Sequence, residues 1–359
     1  MEPLISIRDI HVSFPVGKTG ILGRPKAFVQ AVAGVSLDIM KGETLGLVGE
    51  SGSGKTTLGH AILRLVEPTE GNVVFNHDDH LLDIGELQTK NLRQLWRHMQ
   101  MVFQDPFASL NPRMTVREII AEPMVANRLG TGKEILKRVE EIAETCGLEK
   151  GHLRRYPHAF SGGQRQRIAI ARALVMMPSF IVCDEPVSAL DVSIQAQILN
   201  LLKELQDRLG LTYLFIAHDL ATVAYICDRV AVMYLGQIVE LADTAKLFYT
   251  PKHPYTEALM SAIPDADPNR PMSPVLLSGE RPNPADPPPG CRFHTRCRYA
   301  EQTCRTTQPA LHEIKPGHFV SCHFAETLEL KGALTQHSGN SPTAPDSRGA
   351  KPQSTQGPL

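Results

Sequence analysis

No run of apolar residues in this chain is long enough to cross a bilayer. The longest, such as Ile168 to Met177, fall well short of the roughly 20 residues a spanning helix needs, and contain Arg172. No basic-plus-apolar leader is expected either, since Glu2, Arg8 and Asp9 interrupt Met1 to Ile10. The expectation is a protein that works in the cytoplasm, with other chains supplying any channel. Charge imbalance is equally lacking. With 37 Lys and Arg against 38 Asp and Glu, the chain has no overall attraction for a nucleic-acid backbone, and no nucleic acid is expected among its partners. No internal repeat divides it. What remains is 359 residues of ordinary soluble composition, 42% hydrophobic and 21% charged. That is enough for one large α/β domain and a smaller appendix.

The strongest positive signal is Gly49-Glu50-Ser51-Gly52-Ser53-Gly54-Lys55-Thr56-Thr57, a phosphate-binding loop of the form G-x-x-x-x-G-K-[ST]. Thr44 to Val48 before it reads as a short buried strand. Thr57 to Leu65 after it reads as a helix, with Ala61, Ile62 and Leu65 on one apolar side. The glycines let backbone N–H groups wrap a phosphate, and the helix presents the positive end of its dipole. Lys55 is then placed to reach the β- and γ-phosphates, and the Thr56 hydroxyl to serve magnesium. The chain is expected to bind a nucleoside triphosphate.

Such a loop needs a carboxylate at the end of a neighbouring strand. Phe180-Ile181-Val182-Cys183-Asp184-Glu185-Pro186 supplies two. Asp184 is expected to hold magnesium, and Glu185, where the chain leaves the strand, to face an attacking water. His218 follows a further apolar strand, Thr212 to Ala217, and is read as a γ-phosphate sensor.

Between these motifs lies Phe160-Ser161-Gly162-Gly163-Gln164, opening a helix to about Met176. Ser161 is a good N-cap, and the two glycines would bare the backbone to a second phosphate. A distance of 105 residues separates Thr56 from Ser161. The economical reading is that this second cradle serves a nucleotide held by another subunit.

With these residues in this order the chain resembles an ATP-binding-cassette (ABC) ATPase subunit. Gln104, in Met101-Val102-Phe103-Gln104-Asp105-Pro106, matches the Q-loop; Ser188-Ala189-Leu190-Asp191 matches the D-loop. The resemblance implies a P-loop core with an antiparallel β layer and a helical subdomain at about 105–170. It implies a head-to-tail pair of cassettes, each signature Ser161 to Gln164 closing over the partner's ATP. Glu185 would be the general base. His218 and Gln104 would arrange phosphate and water, and Thr56, Gln104 and Asp184 would hold Mg2+. An aromatic ahead of the P-loop stacks on adenine in this family; Phe14 is the first candidate and Phe28 the second.

After Leu247 the composition shifts to a proline-dense appendix. His253-Pro254-Tyr255-Thr256-Glu257-Ala258-Leu259 and Pro288-Pro289-Gly290-Cys291-Arg292-Phe293-His294 resemble the C-terminal extension of bacterial oligopeptide and dipeptide importer ATPases. The expected division is a cassette over 1–247, an extension over 248–330 and a disordered tail over 331–359. The Gln164-bearing signature favours the second of the two paired ATPases in such importers. The machine implied contains a second ATPase subunit, two membrane permeases and a periplasmic peptide-binding protein, with this chain peripheral on the cytoplasmic side of the inner membrane. Nickel importers share the extension, so another cargo is the alternative. A soluble ABC ATPase of DNA repair would need a long coiled coil for which 105 residues leave no room.

Of seven cysteines, Cys146, Cys183 and Cys227 read as small core residues. Cys291, Cys297, Cys304 and Cys322 crowd into the extension, with five, six and seventeen residues between them. A reducing cytoplasm disfavours disulfides, and tight C-x₂₋₄-C zinc pairs are absent. Wide spacing suits a [4Fe–4S] cluster, as similar importer ATPases carry; zinc or free thiols are the alternatives.

Overall fold

A computed structural model of the protein describes residues 2–17, 27–77, 80–263 and 275–333. Most of the tail read as disordered, from residue 334 on, lies outside these.

The chain opens with β1 (Pro3–Val16) and β2 (Ala27–Met40), long antiparallel strands. They are followed by β3 (Thr44–Val48) and α1 (Lys55–Ile62). Two further strands, β4 (Glu70–His77) and β5 (His80–Asp83), complete a four-stranded antiparallel sheet in the order β2-β1-β4-β5. Helix α1 stops earlier than its apolar pattern suggests. Arg64 takes a left-handed φ of 51°, turning the chain so that Leu65 is exposed.

Next come α2 (Thr89–Leu95) and β6 (Met99–Val102), then a helical stretch: α3 (Pro106–Ser109), α4 (Val116–Ala126), α5 (Gly132–Thr145) and α6 (Gly162–Leu174). Thr115 and Glu118 form a capping box at the start of α4. Pro123 removes a donor there without ending the helix, which continues to Ala126. The chain returns to alternation with β7 (Phe180–Asp184), α7 (Val192–Leu209), β8 (Thr212–Ile216), α8 (Leu220–Ile226), β9 (Arg229–Tyr234) and β10 (Gln237–Asp243).

Strands β9, β3, β8, β7 and β6 pair in that order, all parallel. Both faces of this sheet are covered, so its residues alternate between two cores. Leu45, Leu47, Phe180, Val182, Leu214 and Ile216 pack with α1 and the antiparallel sheet. Ile181, Cys183, Tyr213, Phe215, Val230 and Val232 pack with the helical stretch and α7. Cys146, Cys183 and Cys227 are all buried in this second core, where desolvation holds the Cys146 thiol up at about 12.

After α9 (Thr244–Tyr249), which spans the cassette's end, the C-terminal appendix contributes α10 (Pro254–Ser261), α11 (Gln302–Thr306), β11 (His312–Lys315) and β12 (His318–Val320). It does not stand apart. Antiparallel pairing of β12 with β10 extends the parallel sheet to eight strands. The rings of Tyr234, Tyr255 and Phe293 meet at 4.7–5.4 Å, joining the appendix to the second core. Beneath this seam Glu240, fully buried, accepts the N–H groups of Lys252 at 2.7 Å and His253 at 2.9 Å, and lies 2.7 Å from His318 Nε2. Removing one of these partners would leave a buried polar group unsatisfied, at a cost of about 1–3 kcal/mol. Burial pushes the His253 imidazole down to about 3, so the ring is neutral and its Nδ1 accepts the Tyr255 N–H.

Candidate functional site

The strand order puts four chain segments side by side at the carboxyl ends of parallel strands, where open α/β sheets bind ligands. β3 delivers Gly49 to Lys55, β8 delivers His218, β7 delivers Asp184 and Glu185, and β6 delivers Gln104 two residues beyond its end.

The loop between β3 and α1 depends on its glycines. Gly49 and Gly54 have φ of 152° and 107°, and a Cβ on either would collide with the carbonyl oxygens of Met233 and Ala31. Only glycine permits that approach. Ser53 is buried, and its carbonyl accepts the Gly236 N–H at 2.8 Å. Lys55 is buried and folds its ammonium onto the carbonyls of Gly49 at 2.8 Å and Glu50 at 3.0 Å. Desolvation lowers its pKa, partly offset by the Glu185 and Asp184 carboxylates.

Thr56 donates its hydroxyl to Asp184 Oδ1 at 3.0 Å, joining the two residues expected to serve magnesium. Asp184 is buried, and desolvation raises its pKa although the Thr56 bond opposes this. A bare carboxylate there is unfavourable and a divalent cation would relieve it, so the hydroxyl and carboxylate fit a magnesium site.

Glu185 sits just outside β7 with a left-handed φ of 45°, a costly conformation for a residue with a side chain. Gln104 Nε2 donates to Glu185 Oε2 at 2.8 Å, and His218 Nδ1 lies 3.2 Å from the same oxygen. The three residues expected to handle the attacking water therefore converge. Gln104 meets Glu185 here rather than the Thr56–Asp184 pair.

Ser161 to Gln164 stand at the N-terminus of α6, where Ser161 and Gln164 form a capping box. The two glycines differ in their surroundings. Gly163 is buried, and a Cβ there would strike the Ile194 side chain on α7, so the absence of a side chain lets the two helices pack closely. Gly162 is the more open of the two. No described hydrogen bond joins this segment to the phosphate loop. Asp191 Oδ1 caps α7 through the Ile194 N–H at 3.0 Å, and Ser188 Oγ donates to the Glu185 carbonyl at 3.1 Å.

Strand register separates the two adenine candidates. Phe14 lies two residues beyond inward-facing Val12 on β1, whereas Phe28 is opposite Pro15, on the other face of the ribbon. Both rings are exposed, Phe14 at 39% and Phe28 at 53%.

A groove of about 790 Å³ runs from Gln104 past Phe103, Asp105, Trp96 and Glu122 to Arg172. Phe107 is not among its walls: the Arg165 guanidinium lies 3.6 Å from that ring, which stays exposed. Cys291, Cys297, Cys304 and Cys322 line a single cavity with His253, His294 and Phe293. Burial pushes the Cys297 thiol up to about 11 and Cys322 to about 12. Among the described residues, no three His, Cys, Asp or Glu side chains are gathered tightly enough to hold a metal ion.

Three contacts to the phosphate loop escaped the sequence reading. Arg296 pairs with Glu50, the Tyr255 hydroxyl accepts the Glu50 N–H, and Arg281 donates to the Ser51 carbonyl. They span more than two hundred residues of chain, and no spacing signals them.

Comparison with known proteins places this geometry. The ABC transporter family matches residues 32–188, and the C-terminal region of oligopeptide/dipeptide transporters matches residues 239–304. The chain is 50% identical over 325 residues to the oligopeptide transport ATP-binding protein AppF of Bacillus subtilis, covering 90% of this chain and 97% of that one. It is 53% identical over 327 residues to the OppF protein of the same organism, covering 90% and 98%. A solved dimeric ATP-binding cassette in a post-hydrolysis state with ADP and phosphate superposes with a TM-score of 0.58 at 30% identity, over 67% of this chain and 98% of that one.

Because burial raises the Asp184 pKa, its ionised form costs stability at neutral pH, and that cost vanishes as pH falls and the group protonates. Asp184→Asn, without ligand, is therefore expected to melt above the wild type at pH 7, with the difference shrinking in acid. Its melting point should no longer respond to Mg2+ added with ATP. Thermal scans at several pH values check both; a variant that melts lower at pH 7 and higher in acid reverses the sign.

Proposed function

The chain belongs to the ABC transporter ATP-binding family, in its oligopeptide/dipeptide branch, and from this we infer that it is the ATP-hydrolysing subunit that energises peptide import. The observation that carries the mechanism is the convergence of Gln104 and His218 on one oxygen of Glu185. Glu185 Oε1 makes no hydrogen bond among the described residues and is free to take a proton from water. Lys55 and the loop N–H groups would hold the triphosphate, and Phe14 would stack on adenine. Bound at Thr56 and Asp184, magnesium would neutralise charge on the β- and γ-phosphates. Ser161 to Gln164 would close over the nucleotide of a second ATPase subunit, for which the dimeric cassette is the precedent. Among the described residues no helix is long and apolar enough to cross a membrane. Two permease subunits would supply the channel, fed by a periplasmic peptide-binding protein, with this chain at the cytoplasmic face of the inner membrane. Glu185→Gln should retain ATP binding and lose about 100-fold or more in turnover within the assembled complex. Lys55→Ala should lose binding itself. Near-normal turnover by Glu185→Gln would remove Glu185 from the base role.

The groove beside Gln104 would receive a short helix of a permease subunit, because one wall is the residue that touches Glu185. A cysteine placed at Ala126 should cross-link to a permease in the complex. Cross-links confined to residues beyond 250 would refute this.

The four thiols of the extension would ligate a [4Fe–4S] cluster that holds it folded. What supports this is that all four line one cavity. The spacing of the four, with no tight C-x₂₋₄-C pair, favours a cluster over a zinc site. Protein purified without oxygen should be brown, absorb near ~400 nm and carry about four irons per chain. Colourless protein with one zinc per chain would decide for zinc.

A further inference from the structure

The P-loop is gripped from the far end of its own chain. Arg296 donates to both oxygens of Glu50, Nη1 to Oε2 at 3.0 Å and Nη2 to Oε1 at 3.1 Å, and its side chain is only 9% exposed. Tyr255, buried, accepts the Glu50 N–H at 2.8 Å. Arg281 donates to the Ser51 carbonyl and lies against Gly52. Glu50 directly follows Gly49 in the loop that must surround a triphosphate. An unpaired carboxylate there is a like charge beside the phosphates, in surroundings already dry enough to depress Lys55. The bidentate geometry neutralises that charge and fixes its direction.

We propose that Arg296 is a positioning residue of the ATP site: it neutralises the P-loop's own carboxylate and holds it aside, so the C-terminal extension completes the nucleotide site of its own chain. The inference rests on the reading of the loop as the ATP site. It also ties that site to the cysteine segment. Arg296 directly precedes Cys297, and its N–H is held by the Phe293 carbonyl at 3.0 Å, so order around the thiols sets where the guanidinium stands.

The test measures Mg2+-dependent binding of a fluorescent ATP analogue to the full-length chain. Arg296→Ala should raise Kd about tenfold, and more at low salt, where an unscreened Glu50 repels the phosphates further. Glu50→Gln alone, which leaves the Arg296 cation unpaired beside the phosphates, should lower Kd, and Arg296→Ala with Glu50→Gln should regain most of the affinity lost in Arg296→Ala. Arg298→Ala, which removes the extension's own 2.9 Å pair with Glu257, should leave Kd unchanged. A double variant as weak as Arg296→Ala, or an equal loss in Arg298→Ala, would mean that a loosened extension is the cause, and would overturn the proposal. So would an unchanged Kd in Arg296→Ala. If Arg296→Ala fails to fold, Arg296→Lys tests the same point: it keeps one contact and should show a smaller loss, again relieved by Glu50→Gln. Unchanged binding in Lys55→Ala would instead overturn the reading of the loop.

Discussion

The parallel pairing of β3, β8, β7 and β6 is the constraint on which the rest depends. Each strand is short and buried on both faces, so register has no freedom: a slip of one residue would exchange the side chains of two different cores. That fixed register sets the heights at which Gly49, His218, Asp184 and Gln104 leave the sheet. The chemistry is therefore assembled by strands, while the loops only present it.

Charge burial is the second organising fact. Lys55 is held below its ordinary pKa by desolvation and Asp184 above its own, so both are strained toward neutrality without ligand. A nucleotide with magnesium would bring the opposite charges that each lacks. The site is destabilising as it stands, and the surrounding core supports it. Glu185 belongs to the same pattern, its left-handed backbone held by its N–H to the Ile216 carbonyl at 2.9 Å.

The C-terminal extension changes meaning once it is seen in place. Read as a proline-rich appendix, it has little core of its own. In the structure it borrows one: Phe293 and Tyr255 pack on Tyr234, β12 pairs with β10, and Glu240 binds the seam from beneath. The aromatic seam and the Arg296–Glu50 pair share Tyr234, whose ring meets both Phe293 and the Arg296 guanidinium, joining the four-cysteine cavity to the phosphate loop.

The sequence by itself determined the chemistry that is local. A P-loop needs glycines at fixed offsets and a lysine at its end, and a strand ending in Asp184-Glu185 carries its own signal, because these requirements are met within a few residues. Strand and helix assignments followed for the same reason, with errors at ends such as Leu65, where one left-handed residue outweighs an apolar pattern. Only the tertiary structure decided what Gly163 packs against, that Phe14 and Phe28 lie on opposite faces, that four widely spaced thiols line one cavity, and that Arg296 reaches Glu50. Those facts depend on contacts between residues far apart in the chain. Such contacts are set by how whole layers pack, and they leave no periodicity or spacing in the sequence to read.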